Sequence, residues 1–348
     1  MPVTTRNISL ETIRSAAEHV YEAAVRTPLI RLDLPLAADG RSGRAAPQVY
    51  LKLETLQPIG SFKIRGAYNA VRQLAPADLA KGVWTVSAGN AAQGVALAAR
   101  HAGAQCRVMV MDSAPETKLR AIERLGAEII QASYDECWRT VETHRSDRMR
   151  GHFVHPFDDD RFISGNGTIG LEIFEDLPEV DAVIAPLGGG GLLAGIASAL
   201  RALTPQARVY AAEPETAAPL SVSIKAGTAS YFEGWQASFV DGAGGRSVID
   251  TMWPLLRDTV ADSIVVSLDE VARAMKLTAD RVHVIAEGAA ACAVAAALSP
   301  QFAARGHRHI VAVVSGGNID LSKFAQLVGA CPEPACPEPV EGVERASP

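Results

Sequence analysis

The chain has 348 residues, 48% hydrophobic and 21% charged, enough for two packed domains with substantial cores. Lys and Arg total 33 against 39 Asp and Glu, a net charge of −6 with no basic stripe, so composition gives no reason to expect a nucleic-acid partner. The N-terminal MPVTTRNISLETIRSAAEHV lacks the apolar core of a signal peptide, and runs such as Ala290 to Leu298 are too short to cross a bilayer. A cytoplasmic protein with no membrane partner is expected, its five cysteines (Cys106, Cys137, Cys292, Cys331, Cys336) free thiols without CxxC spacing.

In chain order, Ser9 and Thr12 introduce a first capped helix. VYLKLE (Val49 to Glu54) reads as a strand, followed by QPIGSFKIRGA (Gln57 to Ala67), in which Pro58 and Gly60 break the chain and Lys63 opens a helix. Regular alternation then sets in. Trp84 to Ser87 is a short buried strand, a helix ends at Gly103, and Cys106 to Met111 is a strand. Pro115 to Gly126 is a helix with Pro at its start and Gly at its end. Ala127 to Ala132 is a strand, DECWRTVETHRSDR a helix, and Gly151 to Phe157 a last short strand. The charged block DDDR (Asp158 to Arg161) reads as a solvated turn that breaks this rhythm.

A second α/β region follows. GTIGLEIFEDL is helical, and DAVIAPLGGGGLLAGIASALRAL is strand, glycine loop and helix. RVYAAEP (Arg208 to Pro214) is a strand, and Ala217 to about Asp250 is a long irregular stretch. SIVVS, the helices of DEVARAMKLTADRV and EGAAACAVAAAL, and the strand His309 to Asn318 complete the pattern. The tail, Cys331 to Pro348, repeats CPEP and has almost no large apolar residues, the composition of a disordered appendage. The predicted class is α/β: two doubly wound domains with the site in the cleft between them.

Four segments carry chemistry. PLGGGGLLAG (Pro186 to Gly195) joins a buried strand to a helix, so main-chain N–H groups and the helix dipole can converge on a phosphate. It has no GK[ST]. Gly189, Gly191 and Ala194 also fit G-x-G-x-x-A, with Glu213 ending the next strand, which keeps an NAD-dependent oxidoreductase as an alternative. SAGNAAQG (Ser87 to Gly94) offers a hydroxyl, the Asn90 amide and free N–H groups to a carboxylate, and VVSGGN (Val313 to Asn318) ends a strand in small polar residues. With the Lys63 amine, this is the set that an aldehyde cofactor bearing a phosphate and an aromatic ring needs, namely pyridoxal phosphate (PLP).

These motifs resemble, in order and across roughly Ile8 to Leu327, the fold-type II PLP enzymes of the threonine/serine dehydratase and serine racemase branch. The resemblance implies a tryptophan synthase beta-like fold, with a large domain of residues 1–81 and 161–330 and a small domain of 82–160. It implies Lys63 as the Schiff-base lysine and catalytic base, beside Phe62. Asn90 would meet the cofactor's phenolic oxygen, Gly188, Gly189, Gly190, Gly191 and Leu192 its phosphate, and Ser315 its pyridine nitrogen. Ser87, Ala88, Gly89, Asn90 and Ala91 would bind the substrate carboxylate. The implied reaction takes a β-hydroxy L-amino acid, serine, threonine or a bulkier analogue such as phenylserine, to a 2-oxo acid and ammonia in a homodimer.

Departures from the branch are informative. Its usual histidine after the asparagine is Ala91 here, which either reflects repacking or opens space for a larger β-substituent. Glu213 and the Ala217 carbonyl match two parts of its cation site, but Pro219 stands in place of the aspartate and leaves the set incomplete. GNG (Gly165 to Gly167) replaces GQG. No regulatory domain follows, so feedback control is not expected. A serine racemase-like isomerase is the nearer alternative, yet the racemase's second acid–base serine is Ala88.

Overall fold

The structure, a computed structural model, describes residues 6–33 and 47–330; the CPEP-rich tail, with Cys331 and Cys336, lies outside the described residues. Ten strands form two sheets: β1 (Leu29–Arg31), β2 (Gln48–Leu53), β3 (Val83–Val86), β4 (Cys106–Met111), β5 (Glu128–Ala132), β6 (His152–Phe153), β7 (Ala182–Pro186), β8 (Arg208–Pro214), β9 (Asp262–Val266) and β10 (His309–Val314). The larger runs β1-β2-β10-β7-β8-β9, and the smaller β5-β4-β3-β6. Every pairing is parallel except β1 with β2, where Leu29 faces Lys52.

Alternation along the central strands builds two cores on opposite faces of the larger sheet. Val183, Ala185, Val209, Ala211, Val311 and Val313 point to one. Ala182, Ile184, Tyr210, Ala212, Ile310, Ala312 and Val314 point to the other. The helix Gly288–Leu298 is apolar all round because it is buried almost end to end against the second face. Lys63–Arg72 joins the core of the smaller sheet: Ile64, Ala67 and Val71 share a cluster with Val83, Val95 and Val108.

Two readings are corrected. The block DDDR is no solvated turn. Asp158 is buried, pairs with Arg6 and accepts a hydrogen bond from Thr251 Oγ1 at 2.6 Å. Asp159 caps a helix, Asp160–Asp176, by accepting from Arg161 N at 2.8 Å and Phe162 N at 3.1 Å. The helix therefore starts earlier than GTIGLEIFEDL, and its glycines are there for close packing. A Cβ on Gly165 would lie 2.4 Å from Arg65 O, and one on Gly66 would lie 2.2 Å from the Phe162 ring. The stretch from Ala217 to Asp250 is also not irregular throughout: Pro219–Ala226 is a helix with Pro in its first turn and Gly227, at φ +71°, ending it.

Where these helices meet, four charged side chains are fully buried. Arg65 forks onto Glu54 (Nε to Oε2, 2.8 Å; Nη2 to Oε1, 2.8 Å) and onto Glu172 (Nη1 to Oε1, 2.6 Å). Lys52 Nζ lies 2.6 Å from Glu172 Oε2 and donates to Thr27 O at 2.6 Å. Burial alone would push the Glu172 carboxyl up, but Arg65 and Lys52 outweigh it and hold it below the ordinary value. Truncating one member strands an opposite charge in the interior. Arg65→Ala is expected to destabilise the protein by about 3–5 kcal/mol. Urea unfolding checks this, and a loss under 1 kcal/mol would contradict it.

Candidate active site

The C-terminal ends of both sheets open into one cavity of about 420 Å³. Phe62, Lys63, residues 87–91, Pro156, Phe157, residues 186–192, Glu287, Ser315 and Asn318 are among its lining. The four segments singled out in the sequence therefore come together.

Lys63 is the first residue of its helix. The turn before it is pinned to the end of β10: Phe62 N donates to Ser315 O at 3.0 Å, and Gly317 N to Gly60 O at 2.9 Å. The amine donates to Pro156 O at 2.7 Å and lies 5.2 Å from the Phe62 ring and 5.4 Å from that of Phe162. Burial pushes its pKa down to about 8, against a partial upward pull from Glu287. A substantial neutral fraction near pH 8 suits both a nucleophile and a base.

Gly190, at φ +91°, is the N-cap of Gly191–Leu203, and no side chain caps that helix. The loop has no room for side chains. A Cβ on Gly189 would sit 2.1 Å from the Phe157 ring, and one on Gly188 would sit 2.8 Å from Gly242 O. Glycine thus brings the main-chain N–H groups and the helix dipole to the cavity, a fit for a phosphate dianion.

Across the cavity, Ser87, Ala88, Gly89 and Asn90 are half-buried and Ala91 is buried. Ser87 Oγ accepts from Gly89 N at 3.1 Å, so its hydroxyl serves its own turn. The helix Asn90–His101 starts here without a side-chain cap. Asn90 Nδ2 donates to Glu287 Oε1 at 2.8 Å, while its Oδ1 accepts from Asn318 Nδ2 at 2.7 Å. Ser315, at 2% exposure, places a neutral hydroxyl on the cavity wall.

Glu213 is buried outside this group. Its oxygens accept from Leu220 N at 2.8 Å, Ser221 N at 2.9 Å and Ser263 Oγ. It caps the helix Pro219–Ala226, and Ala217 N donates to Pro214 O at 2.9 Å. With Pro219 at the remaining position, Glu213 and Ala217 do not fit a cation. A carboxylate spent on a helix end is also not free for the ribose of NAD.

Sequence reasoning missed four contributing residues. Glu287, N-cap of Gly288–Leu298, was read only as the start of an alanine-rich helix. Pro156 and Phe157 lay in a segment read as a short strand. They are held by His155, whose Nδ1 accepts from Asp158 N at 2.7 Å and Phe157 N at 3.3 Å. Arg246 sits in the stretch read as irregular. An acidic residue directly before a buried helix was the available signal for Glu287; nothing local marks Arg246.

A family model described as "Pyridoxal-phosphate dependent enzyme" matches residues 20–316. The L-threonine ammonia-lyase of Thermotoga maritima is 35% identical over 323 residues, covering 92% of this chain and 78% of that protein. Human serine racemase is 35% identical over 334 residues, covering 94% and 96% respectively. The solved structure of maize serine racemase superposes with a TM-score of 0.81 at 34% identity, covering 92% of this chain and 97% of that one.

Burial, with smaller contributions from neighbours, raises the Glu287 carboxyl from the ordinary 4.5 to about 7. The folded state then favours the protonated form, a stabilisation complete below about pH 4.5 and lost as pH rises through about 7. Glu287→Gln is expected to make the melting temperature of the cofactor-free protein fall less steeply across that window. An unchanged slope in a differential scanning series would refute it.

Proposed function

This chain belongs to the family of pyridoxal-phosphate-dependent enzymes, and on that premise we propose that it is an ammonia-lyase that dehydrates a β-hydroxy L-amino acid. The observation that carries the reading is the Lys63 amine, shifted down to about 8, at the meeting point of the phosphate cradle, the carboxylate loop and the Ser315 hydroxyl. Lys63 would hold PLP as a Schiff base, with its phosphate on the N–H groups of Gly188 to Leu192, its ring beside Phe62 and its pyridine nitrogen at Ser315. Bound there, PLP supplies an electron sink for the bond broken at the substrate α-carbon.

The chain's own groups do the rest. The Ser87–Ala91 turn and the uncapped helix start behind it take the α-carboxylate. Asn90, held by Glu287 and Asn318, orients the reacting end. Lys63 would remove the α-proton, and the hydroxyl would leave the β-carbon as water. The released enamine tautomerises and hydrolyses to a 2-oxo acid and ammonia. Ser315 would meet the ring nitrogen of bound PLP as a neutral hydroxyl, a weaker aid to the electron sink than a carboxylate, which suits rapid loss of a β-leaving group.

The proposal includes a large domain of residues 1–81 and 161–330 and a small one of 82–160, supported by β3–β6 forming their own sheet. A cytoplasmic homodimer is part of it, tested by sedimentation of the holoenzyme. No helix among the described residues is long and apolar enough to cross a membrane.

Lys63→Ala is expected to abolish both the visible absorbance of bound PLP and release of 2-oxo acid. A borohydride-reducible adduct with full turnover in that variant would overturn the lysine's role. Racemisation needs a second acid–base group on the face opposite Lys63, and Ala88 carries only a methyl there. Such help is worth about 10²- to 10⁴-fold. Chiral chromatography of L-serine incubations is therefore expected to show pyruvate far ahead of D-serine, and Ala88→Ser to raise the D-serine share. Equal rates in the unmodified enzyme would refute this.

A further inference from the structure

One cation in the cavity has no role in the chemistry above. Lys63 serves the cofactor, and Lys118 is paired with Asp241. Arg246 also lines the cavity. Its guanidinium carbon lies 3.9 Å from the Trp235 ring centroid and 4.7 Å from that of Tyr134. Among the described residues no carboxylate pairs with it, and its Nε is buried with no hydrogen-bond partner.

The surroundings hold this side chain in place. Arg246 O accepts from Phe232 N at 2.8 Å, a bridge joins Tyr231 to Ser247, and Trp235 Nε1 donates to Gly244 O at 2.9 Å. Contact with aromatic rings engages the faces of a guanidinium and leaves its edge N–H groups for an acceptor in its plane. A carboxylate, which can accept two parallel N–H bonds, matches that edge. The other anion positions are already assigned: the phosphate to the glycine cradle and the α-carboxylate to the Ser87–Ala91 turn. Neither acidic neighbour is free to pair with Arg246, since Asp241 holds Lys118 and Glu287 accepts from Asn90. Ala91 adds room in the same cavity.

We propose that Arg246 binds a second, distal carboxylate of the substrate, so that the β-hydroxy amino acid this site prefers is 3-hydroxyaspartate. The inference rests on the dehydratase reading and names the substrate of that same site. The balance is that of the simpler dehydration. Lys63 takes the α-proton, the β C–O bond breaks and water leaves. One water then hydrolyses the released enamine in its imine form, giving oxaloacetate and ammonia with no net oxidation or reduction.

The test is kcat/KM of the holoenzyme for L-serine, L-threonine and both diastereomers of L-3-hydroxyaspartate, scored by ammonia and 2-oxo acid. One hydroxyaspartate diastereomer is expected to exceed threonine by about tenfold or more, and Arg246→Gln to lower its kcat/KM at least about 30-fold further than that of serine. Arg246→Lys should recover part of the difference, and succinate should inhibit the unmodified enzyme far better than Arg246→Gln. An equal fall for all substrates would make Arg246 a structural clamp across the cleft, and weakened PLP binding in Arg246→Gln would make it a phosphate ligand. Either result, or a preference for serine or threonine, overturns the proposal while leaving the dehydratase reading standing. No ammonia from any of these substrates would instead remove the dehydratase reading.

Discussion

A buried guanidinium two residues from the Lys63 amine organises this molecule. Arg65 lies on the same helix as Lys63 and forks onto Glu54, just after β2, and Glu172, on the Asp160–Asp176 helix. Thr168 Oγ1 and Val25 O accept from the same guanidinium at 3.1 Å and 3.2 Å. With Lys52 the cluster has two positive and two negative groups, so it is neutral as well as hydrogen-bonded. Its value lies less in net stability, which a well-packed apolar replacement could match, than in direction. Its hydrogen bonds tie the helix of Lys63 to Glu54 and to the Asp160–Asp176 helix, and so position the start of the Lys63 helix. Lys63 inherits its position from this constraint.

The electrostatics of the site follow from the same placement. The amine is close to two aromatic rings and donates to a single carbonyl, so burial outweighs the attraction of Glu287 and its pKa falls. Nearby, burial moves the Glu287 carboxyl the opposite way. A base and an acid of nearly matched affinity for protons thus share one cavity. Desolvation produces both shifts, and Glu172 shows the contrast: burial would raise its carboxyl too, but Arg65 and Lys52 at hydrogen-bond distance hold it below the ordinary value.

Legibility in the sequence followed the range of the interaction. Local structure that rests on backbone geometry was readable from a few neighbours: the helix opened by Lys63 after its Pro-Gly turn, the glycine loop of Gly188 to Gly191 before its helix, and the small-residue strand end at Ser315. Strands buried on both faces were readable too, and β4 and β8 match their expected bounds. Reading failed where a local pattern had a distant partner. Asp158 looked solvated because Arg6 and Thr251 are far away in sequence. The Asp160–Asp176 helix was read only from Gly167 onward, because the backbone that Gly165 admits belongs to the distant Arg65 and Gly66. Glu213 matched a ligand pattern by position, and only the fold reveals that its oxygens cap a helix.

Contacts across the cleft differ in kind from those behind it. Behind the cleft, close-packed aliphatic cores dominate, and one of them joins the Lys63–Arg72 helix to the smaller sheet. Across the cleft, Asn90 meets Asn318 and Glu287, Thr117 meets Asp320, Lys118 meets Asp241, and Arg246 lies over Tyr134. Such polar and cation–π contacts are individually worth about 1 kcal/mol or less where water reaches them. A charged ligand entering the cavity can exchange with them at little cost, whereas it cannot disturb the cores. On the proposed function, selectivity would be set by the side chains along this seam, while the lysine turn and the glycine cradle would set the chemistry. That separation would let one fold keep its cofactor site and change its substrate by altering the seam alone.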